Sequence, residues 1–475
     1  MDATLFNDQY DEVFDDLITR FTSELGQKSL IKGHNTSEFW QYLQECEVFF
    51  TSESYKTGAY SHHMENMLSL YMLNHTVPKK LTAVLRDFGL PPSVVKEGSV
   101  EGHSILDGYV AGDGTLYALA KYCQLDPMWT VVLAYYVWYK YIHPGGVHKF
   151  MSQPSPTFNS SSPNGARVAI IGDWGTGVYK DGHVENCPAQ LVIDGIMKLD
   201  PVPDYIIHLG DVYYAGTKRE ERKHLIDMLP ADYKGKLFTM NSNHEMYDGA
   251  NGLFTETIHN PKFKFQQGST YFSLEIGDWI VVGLDSAYYD KSFLYMDGAI
   301  HNGSDGMEQV NFLQKNAAIE GKQLLLLTHH NGIEYNGSEL NTTLWNQVVK
   351  EALAGKAPDA WYWGHVHNGI VYEDSLEVLK EVTSINGKSP LLRCCGHASM
   401  PYGKGTGLFN KDTGENNPGI AYFGETPMNP PKPTLSQHLR VLNGFSVIDI
   451  KGSAFNETFY EVSNEYNAPK EVWKS

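Results

Sequence analysis

The stretch Tyr205-Ile206-Ile207-His208-Leu209-Gly210-Asp211-Val212-Tyr213-Tyr214 decides how this chain folds. Its first five residues are apolar or aromatic apart from one histidine, and two are β-branched, so they read as a short buried strand. Gly210 then lets the backbone bend sharply and leaves Asp211 at the strand's carboxyl end. The same arrangement recurs along the chain. Arg167–Gly172 runs into Asp173-Trp174-Gly175, and Lys236–Met240 into Asn241-Ser242-Asn243-His244-Glu245. Gln323–His329 runs into His330, and Asp359–Gly364 into His365-Val366-His367. Together with Trp279–Asp285, these strands alternate with helical stretches at Pro188–Leu199, Lys218–Leu229 and Thr343–Ala354. That alternation predicts an α/β domain on a layered sheet. Sites in such folds gather beyond the carboxyl ends of strands, and all five motifs fall there.

Any one Gly-Asp pair is as well explained by a turn or a helix cap. Five strand ends in succession that each carry such donors are not. They deliver Asp173, Asp211, Asn243-His244, His329-His330 and His365-X-His367, oxygen and imidazole donors suited to a pair of divalent or trivalent metals. The absence of thiols from the set argues against a structural zinc site.

This ordered pattern resembles the calcineurin-like metallophosphoesterases over residues 166–462. The resemblance implies a layered αββα sandwich and a dinuclear, metal-dependent phosphoesterase. Many members carry a His two residues after the first Asp, where this chain has Gly175. Purple acid phosphatases instead show Gly-Asp-X-Gly and Gly-Asp-X-X-Tyr, and both are present here, at Gly172–Gly175 and Gly210–Tyr214. On that likeness Asp211 bridges two metals. Asp173, Tyr214 and His367 complete one site, and Asn243, His329 and His365 the other. A tyrosine phenolate is a hard anionic donor that favours Fe(III), so the expected pair is Fe(III) with Fe(II), Zn(II) or Mn(II). The likeness also implies that His244 faces the phosphate and protonates the leaving oxygen, with Asp211 the second catalytic residue and Glu245 orienting its neighbours.

Two departures stand out. Ser242 takes a place usually held by Gly, and the adjacent His329 and His330 leave open which is the ligand. If His329 is, then His330 and Asn331 become substrate contacts. His397, after a strand at Leu391–Cys395, is a further substrate contact or a packing histidine. The implied reaction is hydrolysis of phosphate monoesters by a water acidified between two metals. Phosphodiester hydrolysis on a nucleotide-type substrate, or a partner-binding role for the same fold, are the alternatives.

At 475 residues the chain exceeds one ordinary core. A mostly helical domain is expected over residues 1–150, from apolar spacing near 3.6 in Leu17-Ile18-Phe21-Leu25 and Met64-Met67-Leu68-Tyr71-Met72. A Ser-, Pro- and Asn-rich linker over 151–165 follows, then the catalytic domain over 166–465. The apolar run Met128–Ile142 is too short to span a bilayer and reads as a buried or interfacial helix. Pro401–Gln437, rich in Gly and Pro, has the texture of a long loop. The net charge of −19 speaks against nucleic acid and calls for a local positive centre if a phosphorylated small molecule is to bind. A cytoplasmic setting without membrane attachment is expected from an N-terminus lacking a signal pattern, with a protein partner docking through the helical domain. Five cysteines without regular spacing read as reduced, buried thiols.

Overall fold

The computed structural model describes residues 144–151, 158–174, 188–399, 415–427, 439–463 and 466–475, with short pieces at 108–110, 116–118, 135–136, 139–140 and 408. The helical reading of residues 1–150 therefore falls almost entirely outside the described residues, as does most of 401–437.

Among the described residues, fourteen of eighteen strands build two large sheets. In chain order they are β1 Ser160–Ser162, β2 Ala166–Ile171, β3 Tyr205–His208, β4 Lys236–Thr239, β5 Phe272–Ile276, β6 Trp279–Gly283 and β7 Gln323–Leu327. There follow β8 Ala360–Trp363, β9 Gly369–Tyr372, β10 Leu391–Cys395, β11 Ile420–Phe423, β12 Gly444–Lys451, β13 Ala454–Glu461 and β14 Lys470–Lys474. One sheet has the order β14-β13-β12-β2-β3-β4, the other β11-β9-β10-β8-β7-β6-β5-β1. β2, β3 and β4 run parallel, and so do β6, β7, β8 and β10.

Parallel strands buried on both faces read as continuous apolar runs, and the period of two then sorts their side chains between layers. Val168, Ile170, Tyr205 and Ile207 of the first sheet share a cluster with Val281, Leu325, Leu327 and Tyr362 of the second, the core between the sheets. The alternate residues Ala169, Ile171 and Ile206 face outward onto the helix α1, Pro188–Met197. Leu324, Leu326, Trp361 and Trp363 do the same toward α2, Met307–Ala317, and the helical turns between Thr342 and Ala352. The result is the αββα layering expected. Cys394 and Cys395 are buried free thiols within β10. Among the described residues no helix is long and apolar enough to cross a membrane.

Two strands escape the apolar pattern. β1 lies in the stretch read as a linker, yet it pairs in parallel with β5. Its serines are held by hydrogen bonds, since Ser160 Oγ and Ser162 Oγ lie 2.8 and 2.7 Å from the Tyr205 hydroxyl. β14 lies beyond residue 465 and pairs with β13 as an edge strand with charged ends.

One ion pair ties the layers together. Arg393 on β10 and Glu457 on β13 are both buried, and Arg393 Nε donates to the two Glu457 oxygens at 3.0 and 2.9 Å. The Tyr362 hydroxyl donates to the same carboxylate, and Arg393 Nη1 donates to the Tyr372 and Leu392 carbonyls at 3.1 and 2.8 Å. Removing one partner leaves a buried charge uncompensated. Glu457→Leu should therefore destabilise the protein by about 3–5 kcal/mol in urea unfolding; a loss under about 1 kcal/mol would show the pair to be solvated.

Candidate metal centre

The strand ends are fastened to one another before any side chain is considered. The amide of Asp173 donates to the Gly210 carbonyl at 3.0 Å, that of Trp174 to the Asp211 carbonyl at 2.6 Å, and that of Gly364 to the His329 carbonyl at 3.0 Å. Asp173, Asp211, His365 and His367 all have positive φ, at 59°, 69°, 69° and 50°. A left-handed conformation costs a non-glycine residue about 1–3 kcal/mol, and such residues cluster where function requires a fixed geometry. Gly210 cannot be replaced: at φ 101° an added Cβ would sit 2.8 Å from Ser242 Cβ and 3.0 Å from His329 Nδ1.

The third motif works without a glycine at 242. Ser242 has the extended φ of −140°, which any residue adopts, and it caps the short helix Asn243–Tyr247 by accepting from the His244 amide at 3.0 Å. Its hydroxyl also bonds to the carboxylates of Asp211 and Glu245. Glu245 in turn accepts from the Val212 amide at 2.9 Å and the Asp211 amide at 3.3 Å, so it holds the second motif in place. Burial, with Asp211 nearby, pushes the Glu245 carboxyl up to about 8.

Four atoms converge at one point. Asn243 Oδ1 lies 2.8 Å from His329 Nε2 and 3.0 Å from His365 Nδ1; His329 Nε2 lies 3.1 Å from His365 Nδ1 and 3.2 Å from Asp211 Oδ1. Their orientations follow from the far ends. His329 Nδ1 faces the Leu209 carbonyl at 2.9 Å, which can only accept, so the neutral ring carries its proton there and aims a lone pair inward. Asn243 Nδ2 donates to the Tyr247 hydroxyl at 2.9 Å, and that hydroxyl donates onward to the Leu294 carbonyl at 3.2 Å. The Asn243 oxygen is thus the atom turned toward the histidines. Lone pairs aimed at one another are repulsive unless a cation lies among them, so this donor set fits a metal.

Beside it lies a second group. The Tyr213 hydroxyl is 2.9 Å from Asp211 Oδ2 and 3.4 Å from Asp173 Oδ1, and it bonds to His367 Nε2. His367 Nε2 is 3.6 Å from Asp173 Oδ1. Two of the clusters able to hold a metal contain Asp211, one with His244 and His367, the other with Asp173 and His329. Burial works against the Asp211 carboxylate, yet the facing His244, His329 and His367 hold it well below its usual range. His244 bonds through Nδ1 to the Tyr214 carbonyl and points Nε2 at Asp211 Oδ2, 3.8 Å away.

The structure brings Asp173, Asp211, Asn243, His244, His329, His365 and His367 together. The Tyr213 hydroxyl lies among them; Tyr214, to which the Gly-Asp-X-X-Tyr spacing points, is buried beside it with ring centroids 6.2 Å apart. Between the adjacent histidines, His329 aims a nitrogen at the centre. His330 spends both of its own elsewhere, Nδ1 on Ser286 Oγ at 2.8 Å and Nε2 on the Tyr295 carbonyl at 2.8 Å. Asn331 turns its amide to the Ile333 carbonyl of its own loop. His397 lies fully buried, stacked on Phe459 and pressed on Gly369, whose added Cβ would come within 2.6 Å of Nε2. Its ring is packing, not a wall of this centre. Tyr247 was missed, although its place four residues after Asn243 on one helical turn is a signal for contact.

Residues 166–369 match the family model described as calcineurin-like phosphoesterase. The matched residues include every donor of this centre, from Asp173 to His367. Solved structures similar to the phosphoesterase and its flanks include GAP50, the anchor in the inner membrane complex of Plasmodium, at 14% identity, covering 65% of this chain and 87% of that one with a TM-score of 0.41. The purple acid phosphatase PPD1 from yellow lupin (Lupinus luteus) seeds shows 15% identity over 67% of this chain and 54% of its own, with a TM-score of 0.39. PhoD shows 11% identity over 68% and 70%, with a TM-score of 0.41. No curated protein sequence matches the chain.

His208 and His397 give the phosphoesterase fold a defined acid sensitivity. Burial pushes each imidazole down to about 3. Neither ring nitrogen of His397 has a hydrogen-bond partner among the described residues. Both rings are neutral when folded and take up a proton on unfolding, so their contribution is complete above the unfolded value of about 6.5 and is lost as pH falls from there toward 3. Urea midpoints should drop between about pH 6.5 and pH 4, and His397→Leu should make that pH dependence shallower by about one proton. An unchanged slope would mean that His397 is already protonated in the fold.

Proposed function

We propose that this chain hydrolyses phosphate monoesters of small molecules at a pair of metal ions. The observation that supports this best is the convergence of Asn243 Oδ1, His329 Nε2, His365 Nδ1 and Asp211 Oδ1, with the far ends of His329 and Asn243 already fixed by other partners. Those residues would hold one cation. Asp173, His367 and Tyr213 would hold the other, with Asp211 shared between them. Bound there, two cations supply polarisation of a phosphoryl oxygen and acidification of a water.

The remaining work falls to the protein. Asp211 turns one oxygen to each group, and Leu209 and Tyr247 orient His329 and Asn243. His244 holds its Nδ1 proton against the Tyr214 carbonyl, so Nε2 is the atom turned to the substrate, and it gives a proton to the departing alcohol from the imidazolium form, returning to the neutral Nδ1–H ring. Tyr213 is the proposed phenolate and the reason to expect Fe(III), partnered by Fe(II), Zn(II) or Mn(II). With a net charge of −19 the surface offers little to a nucleic acid, so a phosphorylated small molecule drawn to the cations is the proposed substrate. A partner-binding role alone does not account for a complete ligand set.

The purified protein should carry about two metal ions per chain and release phosphate from an aryl phosphate faster than it cleaves a bis-aryl diester; the reverse preference selects the phosphodiesterase alternative. His244→Ala should lower kcat by about 10²- to 10⁴-fold with metal content retained. Asp211→Ala should lose metal and activity together, and full activity in that variant sinks the reading. A visible phenolate band should vanish in Tyr213→Phe and survive in Tyr214→Phe.

A further inference from the structure

The stretch Met128–Ile142 belongs to the part of the chain that precedes the phosphoesterase, and its described residues Tyr135, Tyr136 and Tyr139 are buried. Tyr136 is set against a turn at Ser292–Tyr295. Its hydroxyl accepts from the Leu294 amide at 3.1 Å, and its ring meets Tyr295 and Tyr247 edge-on, with centroids 5.5 and 5.9 Å apart. Lys140 adds a bond to the Ser292 carbonyl and places its ammonium 3.9 Å from the centre of the Tyr295 ring.

That turn is unusual. Leu294 and Tyr295 are consecutive left-handed residues, at φ 54° and 52°, and neither is a glycine. Such a conformation persists only where its surroundings over-determine it. Its two carbonyls face the metal centre. The Leu294 carbonyl accepts from Tyr247, which accepts from Asn243, and the Tyr295 carbonyl accepts from His330, whose ring lies 4.6 Å from that of His365.

We propose that Tyr136 is a positioning residue for the metal centre: its hydroxyl holds the Leu294 turn, the turn orients Tyr247, and Tyr247 keeps the oxygen of Asn243 aimed at the cation. The proposal rests on the reading of Asn243 as a ligand. Without the Tyr136 hydroxyl, the buried Leu294 amide loses its acceptor and the strained turn relaxes. The Leu294 carbonyl then no longer fixes the Tyr247 hydroxyl. Freed, that hydroxyl can donate to Asn243 Oδ1, and the amide can rotate to present its NH₂, which repels a cation.

The test is Zn(II) affinity in the full-length chain, by competition with a chromophoric chelator, for wild type, Tyr136→Phe, Tyr247→Phe and the double variant. Tyr136→Phe keeps the ring and removes only the hydroxyl, so a role in packing alone would leave affinity unmoved. The expected result is a loss of about tenfold at one of two sites in each single variant, the other site being unchanged, and a double variant no weaker than Tyr247→Phe. Unchanged affinity in folded Tyr136→Phe, or additive losses in the double variant, overturns the proposal while leaving the metal centre intact. Should Tyr136→Phe fail to fold, Tyr247→Phe decides, because undiminished affinity there removes the path. A wild-type chain that binds no Zn(II) at either site overturns the metal reading and this proposal together.

Discussion

Acceptor atoms aimed at one another are the constraint around which this molecule is arranged. Asn243 Oδ1 and the inward lone pair of His329 Nε2 lie 2.8 Å apart, with His365 Nδ1 3.0 and 3.1 Å from them and an oxygen of Asp211 3.2 Å from His329 Nε2. In a buried place, uncompensated polar groups of this kind are costly. The chain commits to them from outside: a carbonyl holds His329 and a tyrosine holds Asn243, so neither can turn away. The strain in four left-handed residues of the candidate centre belongs to the same account. It is tolerable because the strands behind them are anchored in a core shared by two sheets.

That core explains why the ligands can come from so far apart in sequence. Parallel strands put their carboxyl ends at one edge, and the hydrogen bonds between successive motifs lock those ends in register. The Arg393–Glu457 pair joins β10 of one sheet to β13 of the other, so relative sliding of the sheets meets a buried charge as well as apolar packing. Rigidity at this edge matters more than at any other. A metal ligand displaced by an ångström loses much of its worth.

Most of this was legible in the sequence, for a reason that also defines what was not. Short apolar strands announce themselves by composition and place, three of them with a glycine at the end, so β2, β3, β4, β7 and β8 and the donors after them could be read directly. β1 could not, because its serines are held by the Tyr205 hydroxyl and not by apolar burial. The choice between Tyr213 and Tyr214 depends on which side of a strand-end turn each ring leaves, and His329 against His330 on which nitrogen finds a carbonyl. Those are facts of three-dimensional orientation. Packing on Phe459 and Gly369 likewise sets His397 apart, since a histidine after a strand looks the same in sequence whether it faces a cleft or a phenylalanine.

The turn at Leu294 and Tyr295 draws these strands of argument together. Two adjacent residues in a conformation unfavourable by about 1–3 kcal/mol each are a poor way to connect one element to the next if connection is all that is needed. A glycine at either position would serve at lower cost. What glycine lacks is a side chain to be gripped: the Tyr295 ring is the surface on which Lys140 and Tyr136 rest, and Leu294 is buried beside them. The strained turn thus has one face toward the preceding segment and its carbonyls toward Tyr247 and His330. The described residues of that segment touch the supports of the candidate metal centre without entering it, which is the arrangement expected if a second part of the chain were to set how firmly such a centre holds a metal.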